Sequence, residues 1–204
     1  MLINYQNLQN LQFIITQTDN LQNQNNQEIK EFRVLKQGSN QIIYYNPKKA
    51  LICYLGKNYL MDNNDKKEVK YSTGYQNEEL LKNLKLDTEK ISISEITPNE
   101  TYSFEENRSS IKIQAVLEIK KPFLISLKIF NNQGENIINI LQEPIEINGF
   151  YLCQKYIFTE NFPNRRSQIK REFRNYKINQ NLENNIWEKF LNDQNFRENY
   201  YQQF

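Results

Sequence analysis

The sequence predicts a mainly β protein, a small closed β-barrel followed by a C-terminal helix. Apolar and polar residues alternate with a period of two in several segments, which is typical of half-buried strands. These segments recur at intervals of roughly 8 to 13 residues, with Asn, Gly and Pro between them, as in small barrels and sandwiches. Near the C-terminus, the apolar residues return at helical spacing instead.

The first 28 residues predict an arm and a polar linker. Apolar positions such as Leu8, Leu11 and Phe13 are followed by a run of Asn and Gln over 20–27, and the first basic residue is Lys30. We expect the arm to dock as a strand or a turn of helix, and the polar run to be a flexible linker.

The barrel is predicted over 29–160. Its strands are expected at 29–36, 41–45, 50–61 with a bulge or corner at Gly56, 68–73, 90–96, 110–119, 123–130, 136–141 and 149–158. Between them, 77–84 reads as a short helix, because Asn77 can cap it, acidic residues occupy its first turn and three leucines share one face.

The last predicted segment, 161–204, joins a basic stretch to a helix. The stretch carries Arg165, Arg166, Lys170, Arg171 and Arg174 beside aromatic residues, which is either a solvated surface or a binding site for single-stranded nucleic acid. Trp187, the single tryptophan, lies on the apolar side of the predicted helix and is either a core anchor or a contact for a partner protein.

The composition predicts that the chain is not an enzyme and holds no metal or cofactor. It has no histidine, Cys53 and Cys153 are far apart, and no glycine-rich phosphate motif or nucleophile motif occurs. The net charge of +2 gives no excess that would select a nucleic acid. No run approaches a membrane span or a signal peptide, so we expect the cytosol or nucleus. Heavy use of Asn, Gln, Lys, Ile and Tyr is typical of AT-rich genomes such as those of ciliates.

Two segments resemble a known family. Residues 149–158, followed some twenty residues later by 179–191, resemble the last barrel strand and C-terminal helix of the telomerase-recruiting OB domain of shelterin. That family includes the ciliate telomere end-binding protein beta subunit and the matching accessory subunit of ciliate telomerase. The resemblance implies an OB-fold, a closed five-stranded β-barrel with an inter-strand helix and a C-terminal α-helix.

The resemblance also implies a function in the nucleus. It predicts a non-catalytic accessory subunit of the telomerase holoenzyme, a ribonucleoprotein complex for telomere maintenance, that binds the catalytic protein and other subunits and promotes activity and processivity. The expected contacts are Asp87, Glu89 and the arm residues Leu8, Leu11 and Phe13, with Trp187 as a further contact. Two alternatives stay open, an OB protein that binds single-stranded nucleic acid through the basic stretch and a structural subunit of another ciliate complex.

Overall fold

The computed structural model describes residues 8–21, 28–70, 91–97, 100–107, 111–118, 123–163 and 165–204. Within these ranges the chain forms thirteen strands and two short helices. The strands are β1 (Leu11–Leu21), β2 (Glu28–Gln37), β3 (Asn40–Asn46), β4 (Lys49–Tyr54), β5 (Lys57–Asp62), β6 (Asp65–Glu68), β7 (Ile91–Thr97), β8 (Thr101–Asn107), β9 (Ile111–Glu118), β10 (Phe123–Asn131), β11 (Asn136–Ile147), β12 (Phe150–Phe162) and β13 (Arg165–Ile178). The helices are α1 (Ile186–Asn192) and α2 (Gln194–Tyr201).

The strands form an open antiparallel sheet, so the predicted closed five-stranded OB barrel is wrong. The strand order is β6-β5-β4-β3-β2-β1-β13-β12-β11-β10-β9-β8-β7, and β6 and β7 are its two edges. The prediction of a mainly β chain is confirmed. Regular strand spacing is shared by barrels and open sheets, whereas closure depends on whether the first and last strands pair, which local alternation does not encode.

Tight hairpins connect most neighbouring strands. Between β11 and β12 the two turn residues Asn148 and Gly149 have φ values of +52° and +80°. Two consecutive left-handed residues are typical of a type I′ turn, whose twist matches that of the flanking strands. Glycine adopts this conformation without steric cost and asparagine tolerates it, so the Asn-Gly pair fixes the register of the hairpin.

The chain divides into two compact units, each assembled from separate stretches. The described part of unit 1 lies within Gln17–Lys30 and Lys85–Glu172. The described part of unit 2 lies within Tyr5–Thr16, Glu31–Leu84 and Phe173–Phe204. The earlier division into 1–28, 29–160 and 161–204 stays a prediction.

Unit 2 contains an aromatic core between its strands and both helices. We call the sheet side that α1 and α2 cover the helix-covered face; its buried residues are Leu35, Ile42, Tyr44, Ala50, Ile52, Met61, Ile186, Trp187, Phe190, Leu191 and Tyr200. Phe190 is fully buried and packs edge-on against Tyr44 and Tyr200, with ring centroids 6.5 and 5.0 Å away. These rings hold the C-terminal helices on the sheet.

The C-terminal helix was predicted as one element over the apolar residues near Trp187, and the structure divides it in two. Asp193 separates α1 from α2 with an extended backbone, and its side chain accepts a hydrogen bond from the Phe196 backbone N–H at 2.9 Å. An aspartate that caps a new helix explains the break. Neither described helix has the length and apolar character that a membrane crossing requires.

The remaining predicted elements have mixed outcomes. The arm forms strand β1, which was one of its two predicted forms, and the basic stretch belongs to strand β13. The predicted helix over 77–84 lies outside the described residues.

Candidate functional site

One side of the unit 1 sheet carries an unbroken cross-strand row of apolar side chains, which we call the apolar row. It crosses seven neighbouring strands, and each member is the register partner of the next. Its residues are Ile93, Phe104, Ala115, Leu127, Ile140, Phe158 and Ile169. Because paired residues in antiparallel strands point to the same face, these side chains form one continuous surface.

The row directly behind the apolar row, on the opposite face of the same strands, is polar. The residue before or after each member of the apolar row is also paired across all seven strands, and we call this set the polar row: Ser92, Glu105, Gln114, Lys128, Asn139, Thr159 and Gln168. Successive residues of a strand point to opposite faces. The separation holds for this pair of rows, whereas the next row on the second face also contains apolar residues, at Val116, Leu141 and Ile157.

Burial changes along the apolar row. Leu127, Ile140 and Phe158, in the middle, are only 4, 1 and 6% exposed. Phe104, Ala115 and Ile169 are half-buried, and Ile93 at the β7 end is 63% exposed. The row is therefore accessible to a ligand at its β7 end and least accessible at its middle.

A cationic side chain lies on the same face as the apolar row. Arg171 is two residues beyond Ile169 on β13 and pairs with Tyr156 on β12. Its guanidinium carbon lies 5.8 Å from the centre of the Tyr156 ring, and its Nε donates a hydrogen bond to Oε1 of Gln17 at 2.7 Å. These contacts hold a guanidinium group, with its several N–H donors, beside an apolar surface.

Unit 2 has a shorter apolar row on the side opposite its helices. Val34, Ile43, Leu51 and Leu60 are register partners across β2 to β5. An open cavity of about 380 Å³ lies on this side, with Tyr45, Lys49, Leu51, Leu60 and Val69 in its lining. Apolar surface is thus available in each unit separately.

The groups that could do chemistry are dispersed. Burial raises the pKa of Cys53 to about 11 and that of Cys153 to about 12, which keeps both thiols protonated near neutral pH. Glu105 and Glu106 are adjacent on β8 and therefore point to opposite faces of the sheet. In the described ranges no three acidic or cysteine side chains gather in a group that could hold a metal ion.

The predicted contact residues of unit 2 lie in its packed interior. Phe13 is 7% exposed and contacts the rings of Phe173 and Tyr176, and Leu11 packs against the same cluster. Trp187 is 4% exposed, and its indole N–H donates to Oε1 of Gln37 at 2.6 Å. Leu8 is half-buried, and Asp87 and Glu89 lie outside the described residues.

The basic residues of β13 do not gather into one cationic surface. Lys170 pairs with Glu172 at 2.6 Å, and Arg174 pairs with Glu31. Arg171 lies on the face opposite Lys170, and Arg166 is exposed. Arg165 begins the strand, and its side chain lies outside the described part. Alternation along a strand sends neighbouring charges to different faces, where acidic partners neutralise several of them.

The apolar row was missed from sequence, although its signal is present. Apolar and polar residues alternate over 126–129 and over 138–140, with Leu127 and Ile140 at apolar positions of the row, whereas in β13 only Ile169 and Phe173 are apolar within 166–173. The signal that was lacking is the register between strands, which decides that these apolar positions align across seven strands.

Comparison with known proteins identifies the fold. No model of a protein family matches the sequence, and neither does any curated protein. Among solved structures, the chain is similar to a LolA superfamily protein from Nitrosomonas europaea, with a TM-score of 0.57 and 12% identity over 89% of this chain and 90% of that one. A DUF1329 family protein from Desulfovibrio piger matches with a TM-score of 0.59 and 9% identity over 94% and 95%.

A third similar structure is a domain named for a cellular process. A domain described as an outer membrane lipoprotein-sorting protein, from Vibrio parahaemolyticus, has a TM-score of 0.53 and 10% identity, covering 92% of this chain and 91% of that one. At these identities the three similarities show a shared fold.

The same comparisons correct the functional inferences drawn from sequence. The resemblance to the telomerase-recruiting OB family is wrong, because the shared fold is that of LolA-superfamily and DUF1329 proteins. Telomerase and its subunits as partners, the accessory function in telomere maintenance, nucleic-acid binding by an OB barrel and the nuclear location all depended on that fold and are wrong with it. The chain has the fold of a LolA-superfamily protein.

Proposed function

We propose that this chain is a non-enzymatic binding protein that holds the acyl chain of a lipid-modified polypeptide against the apolar row of unit 1. The observation that carries the proposal is the row itself, seven apolar residues in register on one face with seven polar residues behind them. Such a surface attracts an apolar ligand through hydrophobic burial and offers it no group for chemistry.

The dimensions of the row suit an acyl chain. Six strand spacings of about 4.8 Å give a length of about 29 Å. One layer of acyl chains spans about half of the roughly 30 Å hydrocarbon core of a bilayer. A single chain is therefore about three strand spacings long, which matches the less buried end of the row, from Ile93 on β7 to Leu127 on β10. Each buried CH₂ contributes about 0.8 kcal/mol to binding.

Arg171 can recognise a polar group of the polypeptide that carries the acyl chain. Its guanidinium group lies on the same face as the row, two residues from Ile169, and carries N–H donors that suit amide or carboxylate oxygens. The contacts with Gln17 and Tyr156 hold it beside the β13 end of the row.

The fold supports the same proposal. One of the similar structures is described as a lipoprotein-sorting domain, and moving a lipid-modified protein through water requires a surface that shelters acyl chains. This task needs binding and release only. It agrees with buried thiols of raised pKa and with acidic neighbours that point to opposite faces of a strand.

The test is a titration of the purified full chain with a fatty acid that carries a fluorescent group, followed by competition with a synthetic acylated peptide. Ala115→Trp places a large side chain in the half-buried part of the row, and Gln114→Trp makes the matched change on the polar row. We expect saturable binding, displacement by the acylated peptide but not by its deacylated form, and at least about a tenfold loss of affinity for Ala115→Trp. Equal affinity for the two variants, or no binding by the unaltered chain, would contradict the proposal.

A further inference from the structure

Unit 2 contains a small polar cavity of about 190 Å³, which we call the α2 cavity. Gln12 of β1, Lys177 of β13, the loop that follows β13 and side chains of α2 contribute to its lining. A molecule of liquid water occupies about 30 Å³, so the cavity has room for about six water molecules. A ligand of this site is therefore a small molecule, and its lining residues all belong to unit 2, apart from the apolar row of unit 1.

The loop that follows β13 is fixed by hydrogen bonds to Asn10, which is only 4% exposed. The Asn179 N–H donates to the Asn10 carbonyl at 3.0 Å. The Gln180 N–H donates to Oδ1 of Asn10 at 2.9 Å, and Nδ2 of Asn10 donates to the Gln180 carbonyl at 2.9 Å. The loop wall of the α2 cavity is thus set by the fold itself, as is usual in preformed ligand sites.

Gln12 supplies a buried hydrogen-bond donor to the lining. Its side chain is 4% exposed, and its Oε1 accepts a hydrogen bond of 3.4 Å from the Tyr200 hydroxyl. No described residue accepts a hydrogen bond from its Nε2. A buried donor without an acceptor is unfavourable, so an oxygen atom of a ligand would stabilise this amide.

Lys177 places a positive charge beside the same amide. Strands β1 and β13 are neighbours, and with Asn179 opposite Asn10 their register places Lys177 opposite Gln12. The Lys177 ammonium donates to the Gln203 carbonyl at 2.5 Å, which is a neutral acceptor. Glu183, which also lines the cavity, forms its ion pair with Lys189 instead. The charge of Lys177 is therefore available to an anion.

We propose that the α2 cavity binds a small organic carboxylate. Its oxygens accept hydrogen bonds from Nε2 of Gln12 and from the Lys177 ammonium, and hydrogen bonds of this charge-assisted kind are roughly twice as strong as neutral ones. Its apolar part packs against the apolar side chains of the lining, Leu182, Ile186 and Phe196. The inference goes beyond the proposed function, because it concerns a separate site in the other unit.

Ligand-observed NMR titration of the full chain with benzoate tests this site, and benzamide is the matched neutral probe. We expect a dissociation constant of about 1 mM or lower for benzoate and at least about tenfold weaker binding of benzamide. Lys177→Gln should weaken benzoate binding at least about tenfold, whereas Lys177→Arg, which keeps the charge, should retain most of it. Lys170→Gln is the matched control on β13, since Lys170 pairs with Glu172 and lies in unit 1.

Three results would overturn the proposal. The first is equal affinity for benzoate and benzamide, a comparison made on the unaltered chain that needs no variant to fold. The second is equal benzoate affinity in Lys177→Gln and Lys170→Gln, with urea denaturation showing that both are folded. The third is loss of benzoate binding in Ala115→Trp, which would place the probe on the apolar row. Fatty-acid binding that fails while benzoate still binds would contradict the proposed function alone.

Discussion

The helix-covered face of unit 2 and the apolar row of unit 1 are both large apolar surfaces on β-strands, yet they are built differently. The helix-covered face is rich in aromatic rings and contains polar groups, each with a partner. The Tyr44 hydroxyl donates to the Arg197 carbonyl at 3.1 Å, and the Arg197 guanidinium donates to the Phe190 carbonyl at 2.8 Å and to that of Asn63 at 3.0 Å. The apolar row consists of aliphatic side chains and two phenylalanines, with no polar atom in it.

This difference separates a core that specifies its covering helices from a row whose less buried end, at Ile93, Phe104 and Ala115, can contact a ligand. Directional hydrogen bonds and edge-on rings fit one covering element only, because each buried polar group needs its own partner. A row of hydrocarbon side chains makes no such demand and can contact any apolar group of suitable length. The helix-covered face therefore specifies α1 and α2, whereas the apolar row suits a ligand that comes and goes.

The largest expected effect comes from truncation in the helix-covered face. Phe190→Ala removes a fully buried ring and should lower the free energy of unfolding by about 3–5 kcal/mol. Phe104→Ala, in the half-buried part of the apolar row, should cost about 1–2 kcal/mol. Urea denaturation followed by Trp187 fluorescence measures both. The distinction between the two surfaces would be wrong if both variants lost the same free energy of unfolding. It would also be wrong if the affinity for the fatty acid fell in folded Phe190→Ala but not in Phe104→Ala.

Alkaline pH should destabilise the helix-covered face. Burial raises the pKa of Tyr200 from 10.0 to about 12 and also raises that of Tyr44. The folded state retains these protons while the unfolded chain releases them, so this contribution to stability is complete below pH 10 and is lost as the pH rises toward 12. Urea midpoints at pH 9, 10 and 11 should fall progressively, and Tyr200→Phe should reduce the slope. A flat profile would show that these hydroxyls are not buried in the folded state.

The smallest effect is expected on the basic strand β13. Arg174 and Glu31 form an ion pair whose side chains are 52 and 39% exposed, so Arg174→Gln should change the free energy of unfolding by less than about 1 kcal/mol. Thermal unfolding at low and high salt measures this difference. A large, salt-dependent loss of stability in Arg174→Gln would contradict this prediction, because it would mean that the exposed ion pair stabilises β13 strongly.

The sequence predicted strands well where alternation was clean. The buried run at 50–55 became β4, and the segments at 110–119 and 123–130 became β9 and β10. A short continuous apolar run, as at 50–55, and a period of two, as at 110–119, are both local patterns and are sufficient to predict a strand.

Prediction from the sequence failed where the pairing of distant strands decides the structure. In β13 the charged residues hid an alternation that puts Ile169, Arg171 and Phe173 on one face, so it was interpreted as a basic stretch. Strand β8 was missed, and it contains adjacent glutamates of which Glu106 is 2% exposed, a burial that a local charge pattern does not predict. Barrel closure and the apolar row both depend on contacts between distant segments, and a single sequence does not encode those contacts in any local pattern.

The most direct test of the apolar row is to map where an acyl chain lies. A fatty acid with a photoreactive diazirine near the end of its tail would be bound to the full chain and irradiated, and the labelled peptides would be identified by mass spectrometry. Labels on β8 to β10, around Phe104, Ala115 and Leu127, are the predicted result. Labels confined to α1, α2 and the strands beneath them would contradict the account, because the ligand would then occupy the helix-covered face.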